Sequence, residues 1–337
     1  MVRKILGLFA LSGLLVFGFS SCDSSGESSD AAIQYETRYD SLNAVIKDDP
    51  NNAALYAMRA EWRKDDEDQA SAYSDLDRAM ELDSLNDQYY LRKAEWLIEE
   101  KQFGKAKALL DDAIYKVPSS TGIMLKISEI YMWAGEYQKC INWANAALGF
   151  DAYNGQAYYL KGMAHKYSKD TVKAVSSFQT AVEQNPDHYE AYIQLGMLYA
   201  IENHPLAEAY FSNAIKVKPE SVEALYAKGL FLQENEEAKK ALDQYRRILE
   251  LSPDHVSAWY NMGYVKLILE EELDSAQYFF EESLKRAPDY ADAHYNLGYT
   301  MELKGEKEEA LKKYREVLEM NPSHTLAAKG VNRLTGQ

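Results

Sequence analysis

Seven of the eight prolines in the chain fall on one ruler: Pro50, Pro118, Pro186, Pro219, Pro253, Pro288 and Pro322 are separated by 68, 68, 33, 34, 35 and 34 residues. A fixed period of about 34 residues marks an array of small stacked units, none of which can bury its apolar face alone. The two double gaps contain unit ends where proline is replaced, at Ser84 and Ala152. The ruler therefore carries eight units, 53–86, 87–120, 121–154, 155–188, 189–221, 222–255, 256–290 and 291–324.

The same residue types return inside each unit. In the unit starting at Gly155, Tyr158, Gly162, Ala174, Phe178, Ala181 and Pro186 stand at positions 4, 8, 20, 24, 27 and 32. The second unit has Tyr90, Ala94, Ala106, Leu110, Ala113 and Pro118 there, and the last has His294, Gly298, Ala310, Tyr314, Val317 and Pro322. Apolar residues at i, i+3, i+4 and i+7 in both halves predict two amphipathic helices per unit. Small residues at 8 and 20 let the two axes approach to about 8 Å, and large ones at 4 and 24 fill the flanks. Proline at 32 cannot continue the second helix and biases its predecessor toward an extended conformation, so each unit ends sharply.

Over about residues 53–324 this pattern resembles the tetratricopeptide repeat. The resemblance implies an all-α, right-handed superhelical solenoid of about eight helix-turn-helix units with capping helices. Two units depart in length: the fifth is one residue short near Ile201 to Leu206, where Pro205 enters the turn, and the seventh is one longer around Glu270 to Asp274. Loops absorb such changes. Unit three carries Ser128, Cys140 and Ala144 at positions 8, 20 and 24, which predicts looser packing. Caps are expected at both ends. Residues 31–52 supply a leading helix, Ala31 to Asp49, with Tyr35, Leu42 and Val45 inward; residues 325–337 supply a closing one, Leu326 to Leu334, with Leu326, Val331 and Leu334 apolar.

The formal charge of −16 disfavours nucleic acid, whose phosphates require a basic stripe that the chain lacks. Residues 23–100 hold 20 acidic and 8 basic residues, so acidity concentrates at the amino-terminal end, as a solvated face or a docking patch for a basic partner. The first 21 residues read as an export signal: Val2-Arg3-Lys4, then an apolar run from Ile5 to Phe19, then Ser20-Ser21 before Cys22. Such a run spans only about 22 Å as a helix, short of a bilayer core of about 30 Å. It resembles the bacterial lipoprotein signal, Bacteroidota variants included, which implies lipidation of Cys22, with Phe19 departing from the usual leucine. Residues 22–30, rich in Ser and Gly, then form a flexible tether. The other cysteine, Cys140, takes a small-residue core slot.

No catalytic, phosphate-cradling or zinc-binding motif occurs, and the expectation is no enzyme, no cofactor and no metal. His188, His255 and His324 each stand two residues after a unit-ending proline, which points to turn and packing roles. In the family, positions 2, 5, 6, 9, 12 and 13 of the first helices line a concave groove. Those positions offer Tyr159, Met163 and Tyr167 in unit four, Ile193 and Met197 in unit five, and Tyr226 and Leu230 in unit six. Units seven and eight repeat a phrase, giving Tyr260, Asn261 and Tyr264, then Tyr295, Asn296 and Tyr299. Glu61, Asp65, Glu95 and Glu99 make the other half acidic. Tyrosines bring large contact area at low entropic cost, and the two asparagines are candidates for pairing with a peptide backbone or for packing between repeats. The expectation is a membrane-tethered scaffold binding protein or peptide partners for envelope complex assembly, secretion or hydrolase regulation, on the periplasmic or surface side of an outer membrane. The alternative is a receptor for a glycan or small molecule in the aromatic half-groove.

Overall fold

The computed structural model describes residues 38–336. Among them every regular element is an α-helix. The chain divides at Pro50, and the first part contributes α1 (Arg38–Asp48). Its buried residues are Leu42 and Ile46, whereas Val45 is exposed, a correction to the predicted inward face. Tyr39, Leu42 and Ile46 follow the i, i+3, i+7 stripe, and Val45 lies about a quarter-turn away from its centre. Tyr35, the leader, Cys22 and the tether lie outside the described residues.

From Asn51 onward the helices come in eight packed pairs: α2 (Ala53–Asp65) with α3 (Gln69–Leu82), α4 (Asp87–Glu99) with α5 (Phe103–Lys116), α6 (Thr121–Trp133) with α7 (Tyr137–Phe150), and α8 (Gly155–Tyr167) with α9 (Thr171–Gln184). The second half repeats the plan with α10 (Tyr189–Ile201) and α11 (Leu206–Val217), α12 (Val222–Glu234) and α13 (Ala238–Leu251), α14 (Val256–Ile268) and α15 (Leu273–Arg286), and α16 (Ala291–Lys304) and α17 (Lys307–Met320). Each second helix packs on the next pair's first, and α18 (Thr325–Thr335) closes on α17. In α18 the buried residues are Ala327 and Gly330; Leu326 is exposed, and Val331 and Leu334 lie half-covered against Tyr314 and Val317.

Within a pair, position 8 meets position 24. A methyl group on Gly162 would lie 2.5 Å from the Phe178 ring, and one on Gly196 equally close to Phe211. The absent side chain is therefore the slot for the ring, and the seam between neighbouring pairs is the core. Unit three closes as tightly as the others, against the sequence expectation. Ser128, Cys140 and Ala144 are all fully buried, and the Ser128 hydroxyl donates to the Cys140 carbonyl at 2.8 Å, satisfying the polar group in place. Burial pushes the Cys140 thiol up from its ordinary range, so it stays protonated and unreactive.

Successive pairs are latched by a second recurring contact. The polar edge of the position 4 aromatic donates to a carbonyl six residues earlier, in the preceding unit's terminal turn. Tyr90 reaches Ser84 at 3.2 Å, Tyr158 reaches Ala152 at 3.3 Å, Trp259 reaches Pro253 at 2.8 Å and His294 reaches Pro288 at 2.8 Å. The three periodic histidines are helix N-caps. The Nδ1 atoms of His188, His255 and His324 accept from the backbone N–H of Ala191, Ala258 and Ala327, doing for their helices what Asn154 does for Ala157. Sequence reasoning assigned these histidines to turns but not to capping, since histidine is not among the usual capping residues.

Candidate protein-binding groove

The position 5 tyrosines are held on two sides. Each lies on the position 24 ring of its own pair, with centroids 5.8 Å apart for Tyr159 and Phe178, 6.3 Å for Tyr226 and Tyr245, 5.7 Å for Tyr260 and Phe280 and 5.8 Å for Tyr295 and Tyr314. The far face of each ring meets the N-cap of the next pair: His188 at 4.8 Å, His255 at 5.7 Å, Tyr290 at 4.9 Å and His324 at 5.2 Å. Unit five breaks the series with Ile193, which is buried. The result is a row of half-buried rings along successive first helices, fixed before any partner arrives.

The asparagines are committed elsewhere. Asn261 and Asn296 are buried, and their amide nitrogens donate to Tyr226 at 3.2 Å and Tyr260 at 2.8 Å across the unit boundary. This corrects the idea that they serve a ligand backbone: they join unit six to seven and seven to eight. Position 6 faces the neighbouring unit, where an unpaired amide would cost more than the bond returns. Burial raises the hydroxyls of Tyr159, to about 12, and of Tyr260 and Tyr295 as well, so these groups remain protonated donors at any physiological pH.

At position 9, Met163, Met197, Tyr264 and Tyr299 are half-buried beside this row, as is Leu230, and Tyr295 and Tyr299 lie with parallel rings 6.4 Å apart. Tyr167 does not join them. It is exposed and stacks on Tyr137 at 5.9 Å, where the two helices of a pair turn. Two of the four acidic residues, Glu61 and Glu95, are paired along the same helices, and Glu99 lies 4.0 Å from Lys64. Arg92 binds Glu61 at 2.7 Å and Glu95 at 3.2 Å, and Lys126 lies 3.7 Å from Glu95 and 3.1 Å from Glu129. Deeper in unit one, buried Asp75 is held by Arg59 at 2.6 Å and Arg63 at 2.8 Å. Of these pairs, Glu61 with Arg92 and Glu95 with Lys126 join neighbouring units, a spacing visible in the sequence once position rather than composition is compared. Among the described residues no group of three or more His, Cys, Asp or Glu could hold a metal ion, and no helix is long and apolar enough to cross a membrane.

Three tetratricopeptide repeat family models match the chain, at residues 155–188, 198–256 and 291–324. Among solved structures, the C-terminal part of a TPR repeat-containing protein from Cytophaga hutchinsonii superposes with a TM-score of 0.62 at 18% identity, covering 72% of this chain and 99% of that one. Among curated proteins, anaphase-promoting complex subunit 3 of Schizosaccharomyces pombe is 28% identical over 137 residues, which is 40% of this chain and 21% of that protein. The photosystem I assembly protein Ycf3 of Acaryochloris marina is 29% identical over 130 residues, 37% of this chain and 60% of that protein. The chain thus spans only part of the length of these curated relatives.

Proposed function

Because this chain is a tetratricopeptide repeat protein, we propose that it works as a non-catalytic scaffold that holds a segment of a partner protein against the tyrosine and methionine row of its first helices. The observation that carries this reading is the two-sided packing of Tyr159, Tyr226, Tyr260 and Tyr295, which presents large amphipathic rings with little rotamer freedom left to lose. The export signal and Cys22 support a lipid anchor in a bacterial envelope, where such a scaffold would assemble complexes, aid secretion or regulate hydrolases.

The position 9 side chains are the ones to change, since they line the row without carrying the position 24 contact. A triple variant, Met163→Ala, Met197→Ala and Tyr264→Ala, should keep its helicity and lose crosslinked partners recovered with the intact chain from native membranes. Equal recovery by both proteins would remove the groove from the mechanism. Binding of glycan but of no protein, lost in the same variant, would move the assignment to a carbohydrate receptor.

A further inference from the structure

The outward face of the second helices changes character along the array. Position 26, counted through the length changes of units five and seven, is charged in units one, two, six, seven and eight. In units three to five it is Ala146, Thr180 and Asn213. No charged residue stands between Lys139 and Asp151 along α7, between Lys173 and Glu183 along α9, or between Glu208 and Lys216 along α11. The 14 residues of α13 include six charged ones and the 14 of α17 include eight. The neutral stretch is open to solvent, with Asn142, Asn145, Gly149, Ser176 and Asn213 all exposed. Its helices are neighbours: Gln138 and Ile141 of α7 share a cleft with Lys173 of α9, and Gln179 of α9 donates to the Tyr210 hydroxyl of α11 at 3.4 Å. At the helix ends beside it, Tyr115, Phe150, Tyr153 and Val172 are between 60% and 86% exposed.

A face without charge gives neither a basic nor an acidic partner an electrostatic reason to choose it. For a second copy of the chain, itself at −16, it is the stretch of second helices where two molecules meet with no like charges opposed. Charge depletion beside exposed aromatic side chains is also the compositional mark of a protein interface. Gly149 adds room for close approach: a methyl group there would meet nothing within 4 Å, so no contact inside the chain accounts for a glycine that weakens α7. Helices of 14, 14 and 12 residues, each about 20 Å long and about 10 Å apart, present about 600 Å² per copy, at the lower end of specific interfaces. We propose that the second helices of units three to five form a self-complementary surface through which two copies associate about a two-fold axis, with α9 of one against α9 of the other. The tyrosine and methionine row belongs to the first helices and stays free in both copies.

Sedimentation equilibrium of the full chain in a density-matched non-ionic detergent, over about 1 to 100 μM, tests this. A monomer–dimer equilibrium should appear and tighten as salt rises, because ions screen the repulsion between two like-charged chains and leave the neutral contact in place. The double variant Asn145→Glu, Ser176→Glu, at exposed helical positions, should weaken dimerisation about tenfold or more, since each new carboxylate meets its own counterpart across the axis. Lys312→Glu, exposed on α17, changes the net charge by the same two units and should leave dimerisation unchanged. A monomer throughout the range, or equal weakening by Lys312→Glu, would overturn the proposal. So would a dimer that survives the double variant, as expected if copies met through the leader or the groove. Binding of a neutral polysaccharide by a monomeric chain, lost in the double variant, would overturn it in favour of a glycan surface. The groove variant Met163→Ala, Met197→Ala, Tyr264→Ala leaves α7, α9 and α11 unaltered, so self-association and partner capture fail separately.

Discussion

At the residue scale the fold depends on where side chains are missing. The slot at Gly162 admits no methyl group, because the Phe178 ring already fills it. Gly162→Ala should therefore cost about 1–3 kcal/mol by overpacking, read as a lower urea midpoint with unchanged slope. Gly149, near the end of α7, faces open space, and Gly149→Ala should instead be neutral or stabilise by up to about 0.5 kcal/mol. The sequence shows both as glycine within a helix, and only the opposing ring separates them. His188 adds a pH dependence. Its Nδ1 accepts from Ala191 and its Nε2 lies 3.1 Å from Gln156, so the neutral imidazole with hydrogen on Nε2 fits the site. Burial lowers its affinity for a proton and Lys218 acts the same way, while Glu190 opposes them. With the folded value below the unfolded one, the stabilisation is complete above the ordinary histidine range near 6.5 and is lost as pH falls through the folded value. Denaturation between pH 7 and 5 should show a smaller loss for His188→Asn, which caps without titrating, than for the native chain.

At the element scale the turn inside each pair is the conserved device of the array. Position 15 adopts the left-handed conformation in every unit, or one residue later in the lengthened seventh: Glu67, Lys101, Lys169, Asn203, Glu236 and Glu271 have φ between 50° and 63°, and Gly135 and Gly305 have 74° and 84°. Only glycine takes that conformation without a steric penalty. Glu236→Gly should thus stabilise by about 0.5 kcal/mol, whereas Gly305→Ala should cost about 1 kcal/mol, both measurable by urea unfolding. The opposite turn depends on the position 4 latch. Trp259→Phe removes the indole donor to Pro253 and should cost about 1 kcal/mol while leaving the helices intact. The helices themselves were legible from the 3.6-residue period and the prolines. The latch, the histidine caps and the left-handed turns were not, because each is a meeting of one side chain or backbone group with a neighbour that periodicity does not name.

At the scale of the whole array, each pair from Asn51 onward gains stability from its neighbours, so interior pairs outlast terminal ones. The most extensive continuous core runs from Tyr189 to Val265, through units five to seven. Native-state hydrogen exchange should be slowest in α12 and α13 and fastest in α2, α3 and α18. Uniform exchange along the chain would contradict the nearest-neighbour picture. The proposed anchor is tested at this scale too: if Cys22 is lipidated, Cys22→Ala should release the protein from membranes, with loss of an acyl mass on the mature terminus as the check.

By itself the sequence determined the all-α repeat architecture and the two helices in each unit. These follow from spacing along one chain, and spacing is what proline, small residues and apolar stripes record. Tertiary structure alone decided which polar groups remain available. Asn261 and Asn296 turned inward to the tyrosines of the preceding unit, Glu61 and Glu95 were neutralised by Arg92 and Lys126, and Tyr167 left the groove for the turn edge, where Glu271 stayed unpaired. The physical reason is that the partners in these contacts lie about one repeat apart, and stacking determines which of two equally polar side chains faces its neighbour and which faces water.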